Sequence, residues 1–162
     1  MRRPHRGLNL RELQEFLRAP RVARVAVVLS GGRPHVTPVL YAWDGETLQF
    51  STRRRTLKMQ GLQPGAWVSV TIDEESPPWR GVLISGAVDH LPHDAEWAAG
   101  ALSRYVGEGQ ARAYADYLAL KEPDRVRISV RPASIASWNQ GKALARVTAR
   151  FPGGTLGDES KP

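Results

Sequence analysis

The dipeptide Asp44-Gly45 sits between two runs rich in β-formers, RPHVTPVLYAW before it and TLQFST after it, and it constrains this chain more than any other feature. Such a pair predicts a hairpin with a type I′ turn, which needs positive φ at both central positions. On the first strand His35, Thr37, Val39, Tyr41 and Trp43 share one face and Val36, Pro38, Leu40 and Ala42 the other. Pro38 cannot donate to a ladder, so the strand is bulged there or borders an open edge. An open edge leaves backbone N–H and C=O groups free to meet a planar, hydrogen-bonding ligand. The second strand ends in two hydroxyls, Ser51 and Thr52, followed at once by Arg53, Arg54, Arg55 and Lys58. Hydroxyls, guanidinium and ammonium groups and the start of the turn over 56–62 together make a cup suited to a phosphate. On charge alone the same run reads first as a solvated turn.

The remaining elements follow from pattern. Asn9 caps a helix to Arg18 whose apolar stripe is Leu10, Leu13, Phe16 and Leu17, and Pro20 stops it. RVARVAVVL has little polar alternation and reads as a strand buried on both faces. Gly31-Gly32 then turns the chain so that 22–29 and 34–43 pair antiparallel. AWVSVTID alternates with one wet face, and GVLISGAVDHL is a long strand in which Gly86 marks a bulge or a close backbone approach. Asp94 caps a helix with Trp97, Ala101, Leu102 and Tyr105 along one side, closed by Gly107. A second helix spans about 110–121, where Tyr114, Tyr117 and Leu118 read as packing residues. RVRISVRP is a strand with Val126, Ile128 and Val130 on one face and Arg125, Arg127 and Arg131 on the other. Five or six short-turned antiparallel strands close into a small barrel. Residues 151–162 turn to Gly, Asp, Ser and Pro and read as a disordered tail, leaving 1–150 as one domain.

Composition narrows the chemistry. The 162 residues suit one domain with a proper core. With no cysteine there are no disulfides, thiolate metal sites or cysteine nucleophiles. No apolar run approaches the roughly 20 residues of a membrane span, and Met1-Arg2-Arg3-Pro4 leads into no secretory segment, so a cytoplasmic protein without membrane partners is expected. The formal charge of +7 invites an anionic partner. His5, His35, His90 and His93 lack metal-ligand spacing, and there is no nucleophile elbow, Walker loop or dinucleotide fingerprint. Nothing in the chain forms a self-sufficient acid/base or covalent catalyst. A basic barrel could bind nucleic acid, but the arginine face of 125–131 carries no aromatic residues for stacking.

The stretch GRPHVTPVLYAWDGETLQFSTRRRTLK resembles the core of the pyridoxamine-5′-phosphate-oxidase-like family, the FMN-binding split barrels and their F420-dependent relatives. WRGVLISGAVDHL, RYVGEGQARAYADYL and RVRISVRPASIASW extend the resemblance over roughly 8–140. It implies a mainly β fold, a six-stranded antiparallel split β-barrel with flanking helices, assembled as a homodimer whose two protomers share each cofactor site. It further implies that the cofactor phosphate meets Ser51, Thr52, Arg55 and Lys58, and that the ring lies against Thr37, Pro38 and Val39. Trp138 either reaches the partner's ring or packs in the interface. At Met59-Gln60-Gly61-Leu62 the chain departs from the Arg-Asn-Leu of many members, which puts a side-chain contact from Gln60 in question. The implied activity is hydride transfer between F420 or FMN and a small organic substrate, chemistry that belongs to the ring while the protein binds, orients and excludes water. F420 is favoured by the net charge and by Arg53, Arg54 and Arg80, placed near the exit of its acidic tail. Two alternatives remain on the same fold: an FMN carrier, and a haem-binding or haem-degrading barrel with His90 or His35 as axial ligand. Among the tryptophans, Trp43 and Trp67 are expected to pack on sheet faces and Trp97 on a helix.

Overall fold

The computed structural model describes residues 7–150. The expected tail over 151–162 lies outside them. Helix α1, Leu10–Arg18, opens on a reciprocal cap: Asn9 Oδ1 accepts from Glu12 N at 2.9 Å, and Glu12 Oε2 accepts from Asn9 N at 2.7 Å. Strands β1, Val22–Val28, and β2, Pro34–Leu40, pair antiparallel from Val22↔Leu40 to Val28↔Pro34. Their loop closes through Leu29 N to Arg33 O at 2.9 Å, with Gly31 and Gly32 at φ 85° and 80°.

The strand expected over 34–43 is divided. After Tyr41 the short β3, Ala42–Trp43, leaves β1 and pairs instead with β4, Leu48–Arg53. Strand β5, Trp67–Asp73, lies between β1 and β6, Arg80–Leu91, and β7, Arg125–Asn139, joins β6 to β4. The order is therefore β2-β1-β5-β6-β7-β4-β3, seven segments where six strands were expected. Strands β2 and β3 stand at opposite ends of this order yet are one residue apart in the chain. The sheet must roll up to bring its ends together at Tyr41, and it stays split between β2 and β4. At that point helix α2, Ala95–Val106, replaces the ladder. Tyr105 Oη accepts from Tyr41 N at 3.2 Å and lies 2.9 Å from the carbonyl oxygens of both Tyr41 and Arg21, while Arg104 also donates to Tyr41 O.

The turn at Asp44-Gly45 is not type I′. Asp44 Oδ1 accepts from Glu46 N and Thr47 N at 2.8 and 2.7 Å, so the side chain closes a four-residue loop, and only Gly45 takes positive φ. The inner face of the barrel is Ala23, Val25 and Val27, Val68, Val70 and Ile72, Val82 and Ile84, and Val126, Ile128 and Val130, all buried, with Phe16 and Leu17 of α1 packed into the same core. Strand β1 is buried on that face only: Val22 and Val28 are 42% and 59% exposed, against the expectation of two covered faces. Trp67 is likewise 61% exposed rather than packed. Both corrections have one cause, since among the described residues no helix covers the outer face of β2, β1 and β5. Gly86 behaves as expected: the β6–β7 register shifts between Ser85 and Gly86, and a Cβ at Gly86 would stand 1.9 Å from Arg131 O. Helix α3, Glu108–Lys121, follows α2 across Gly107 at φ 82°. A last helix, α4, Gln140–Arg150, was not foreseen; Asn139 Oδ1 accepts from Lys142 N at 3.1 Å in its first turn. No helix among the described residues is long and apolar enough to cross a membrane.

Candidate functional site

Where β2 and β4 part, a cavity of about 290 Å³ opens. Pro38, Val39 and Leu40 of β2 form one wall, and α2 and α3 cover it with Trp97, Leu102 and Leu118. Strand β2 ends the sheet, so its outer backbone groups face this gap without a ladder partner. Thr37 Oγ1, one residue behind the lining, is buried with no hydrogen-bond partner.

The far end of the cavity is polar and positive. Strand β4 delivers Ser51, Thr52 and Arg53, and the chain then tightens into a turn, Thr56 N donating to Arg53 O at 3.2 Å, before the 3-10 helix Leu57–Gly61. Lys58 Nζ donates to Thr52 Oγ1 at 3.4 Å, and Thr52 Oγ1 lies 3.2 Å from Thr56 Oγ1. From β7, Arg125 donates through Nε to Ser51 Oγ at 2.8 Å and through Nη2 to Ser51 O at 3.2 Å. Glu122 pairs with Arg125 and, at 3.4 Å, with Arg53. Lys58 has no carboxylate partner among the described residues. Three cations against one carboxylate leave two positive charges at this end. Burial first, then Arg125 and Arg53, hold the Lys58 ammonium below its ordinary pKa of 10.5. An anion placed here would relieve that crowding.

Of the residues expected to hold a cofactor, the fold brings Pro38, Val39, Ser51, Thr52 and Lys58 to one cavity, with Thr37 just behind. Arg55 is turned elsewhere: its Nε is 3.7 Å from Asp124 Oδ2 and its side chain is 72% exposed. Residues 53–55 leave the strand through a tight turn, so their side chains fan out and only Arg53 lines the cavity. Trp138 lies at a separate groove beside Pro77, Pro78 and Trp79, its ring against the bare Gly81 backbone. Gln60 accepts from Ser30 Oγ at 3.0 Å and does not line the cavity. Arg80 is held by Glu74 at 2.6 and 2.8 Å, away from the cup. His90 Nε2 lies 2.6 Å from Leu62 O, and neither it nor His35 lines the cavity.

Thr56, at the start of the turn expected to add donors, lines the cavity, and so do Arg125, His93 and Tyr114, which were not among the expected site residues. Arg125 was placed on a solvated face, yet its side chain is only 15% exposed. The pairing Arg53↔Arg125 is what carries it into the cup, and no local signal announces that pairing. Tyr114 and Tyr117 are not core residues: they are 52% and 54% exposed, with rings stacked at 6.2 Å. Positions three apart on α3 place both toward solvent beside the cavity mouth.

Comparison with known proteins agrees with this architecture. Among solved structures the chain is similar to an F420 reductase, with 26% identity and a TM-score of 0.60 over 76% of this chain and 94% of that one. It is also similar to a conserved hypothetical protein of Mycobacterium tuberculosis, with 20% identity and a TM-score of 0.73 over 99% of both chains. HutZ, described as a haem storage protein of Vibrio cholerae, shares the fold at 17% identity and a TM-score of 0.61, over 82% of this chain and 95% of that one. No protein with a curated description matches the sequence. The family model for pyridoxamine 5′-phosphate oxidase matches residues 10–139, which takes in every strand of the rolled sheet and the whole cavity wall, and on that ground the chain belongs to the pyridoxamine 5′-phosphate oxidase family.

Proposed function

We propose that this protein is an oxidoreductase that holds F420 or FMN and moves a hydride to or from a small organic substrate. The observation that carries this reading is the Lys58, Ser51, Thr52, Arg53 and Arg125 cup, a net positive and donor-rich end to a cavity whose wall is an unpaired strand edge. A phosphate group fits the donor set. A planar ring fits the β2 wall, where Pro38 and Val39 line the cavity and Thr37 Oγ1 waits for a partner. The cofactor would supply the hydride chemistry, and the chain's own residues would bind the phosphate, orient the ring and exclude water. F420 is preferred over FMN. The similarity to an F420 reductase supports it, and so do the net charge of +7 and Arg53, 44% exposed beside the cup. Arg80 no longer contributes, because Glu74 holds it.

The site is completed by a second copy of this chain. Val22, Val28, Val36, Leu40 and Trp67, each more than 40% exposed, give the outer face of β2, β1 and β5 an apolar surface, and Leu40 also borders the cavity. Titrating both cofactors into the purified protein at two salt concentrations tests the reading. F420 bound more tightly than FMN, and more weakly as salt rises, is the expected result. Tighter, salt-insensitive FMN binding rejects the preference for F420, and a Soret band in the freshly purified protein rejects the flavin-type reading altogether.

A further inference from the structure

We propose that His93 is an anion-binding residue of the cup, taking up a proton as a dianionic phosphate group binds beside Lys58 and Arg125. This rests on the cup being a phosphate site. His93 follows the end of β6, where Leu91 pairs with Arg127, and precedes Asp94, the cap of α2. It therefore lies against the end of β7 that carries Arg125, and it lines the same cavity as Ser51, Thr52 and Lys58.

Both nitrogens of its ring are shielded from solvent and neither has a hydrogen-bond partner. The ring meets Trp97 edge-on, with centroids 5.9 Å apart, and Trp97 offers it no acceptor. A desolvated imidazole with two unsatisfied nitrogens is destabilising, and a buried polar group of that kind is accounted for when a ligand supplies its partner. A half-turn about χ2 exchanges Nδ1 with Cδ2 and Nε2 with Cε1. That motion brings nitrogens to the ring edge now occupied by carbon without moving the backbone.

The charges around His93 set the direction of proton movement. Its own loop contributes Asp94, β7 contributes Arg125 and Arg127, and the same cavity holds Arg53 of β4, Lys58 of the 3-10 helix and the Tyr114 phenol of α3. Burial first, then Arg125, hold the imidazole below its usual 6.5, with Arg127 adding to that and Asp94 opposing it. The ring is thus neutral near pH 7 before the anion arrives. A dianion in the cup reverses the local field and favours imidazolium, so a solvent proton enters with the anion. Affinity then falls as pH rises through the interval between the free and the bound pKa.

Sulfate is the probe, because it stays a dianion throughout the working range and any proton taken up belongs to the protein. The Cε1–H resonance of His93, assigned by its loss in His93→Gln, is titrated with and without sulfate in the full-length wild type. Calorimetry in two buffers of different ionisation enthalpy counts protons. The expected result is a rise in the His93 pKa of about one to three pH units on saturation. Up to one proton per sulfate should enter in that interval, and proton uptake should be absent in His93→Gln. Sulfate binding that Lys58→Ala abolishes, with the His93 resonance unmoved, overturns the role of His93 and leaves the cup intact. Sulfate that fails to bind, or binds Lys58→Ala equally well, overturns the cup and this proposal with it.

Discussion

Replacing Lys58 by alanine is the sharpest perturbation of the cup. Among the described residues the ammonium donates only to Thr52 Oγ1, at 3.4 Å, and has no carboxylate partner, so its loss breaks no ion pair that stabilises the fold. A hydrogen bond between charged partners contributes about 1.5–3 kcal/mol, which corresponds to a loss of roughly ten- to a hundredfold in cofactor affinity. Partial exposure of Lys58 favours the lower half of that range. Arg55→Ala is the built-in control: its guanidinium is 72% exposed and 3.7 Å from Asp124, a surface pair whose loss should change affinity by about threefold at most. Quenching of flavin or deazaflavin fluorescence gives the two dissociation constants, and circular dichroism confirms that both variants fold. The Lys58 pKa is depressed in the free protein and an anion pulls it up, so binding also takes up a proton at alkaline pH and weakens as pH climbs. If Lys58→Ala and Arg55→Ala bind the cofactor equally, with effects of threefold or less, the basic run is a solvated turn and the cup does not exist.

Three further outcomes follow from the fold. Light scattering should give twice the 17.9 kDa chain mass, and Val36→Glu, on the exposed side of β2, should halve it; a wild-type monomer that binds cofactor fully refutes the shared site. Arg80 and then Arg21 hold the Glu74 carboxyl down to about 2 in the folded chain, against 4.5 as its ordinary value. Its contribution is therefore present above about pH 4.5 and lost as pH falls toward 2, so Glu74→Gln should lower the urea midpoint at pH 7 and much less at about pH 3; equal losses at both pH values refute the assignment. Gly86→Ala drives a methyl against Arg131 O at 1.9 Å and should destabilise by about 1–3 kcal/mol or more, a fall of several degrees in Tm; an unchanged Tm would show that the bulge relaxes freely.

Local chemistry and the β1–β2 hairpin were legible, and the pairing of strands distant in the chain was not. Asn9, Gly31-Gly32, Asp94 and Gly107 end or turn the chain where their side chains or φ values require it, and each element boundary they imply is found. Pro38 announced an edge strand correctly. The change of partner at Tyr41 was invisible, because it depends on the Tyr105 hydroxyl arriving from 64 residues away. For the same reason Arg125 looked like a surface cation: alternation along β7 fixes its face, but only the neighbouring β4 decides whether that face is solvent or the cup. The exposed outer face of β1 misled in the opposite sense, since a strand written for burial on both sides has only one face covered among the described residues.

The cup rests on β4, whose neighbours are the two-residue β3 and the distant β7. A ribosome that has released residues only to the end of α3 has made β1, β2, β5 and β6, which pair among themselves, but it has left Leu48–Arg53 with a single short partner. Its hydroxyls and basic residues have no fixed geometry until 125–130 arrives to zip alongside. Closing so non-local a pairing is slow, and it comes last. The cup can therefore form only after nearly the whole domain has been synthesised, and a chain interrupted before β7 exposes an unpaired strand rather than half a cup.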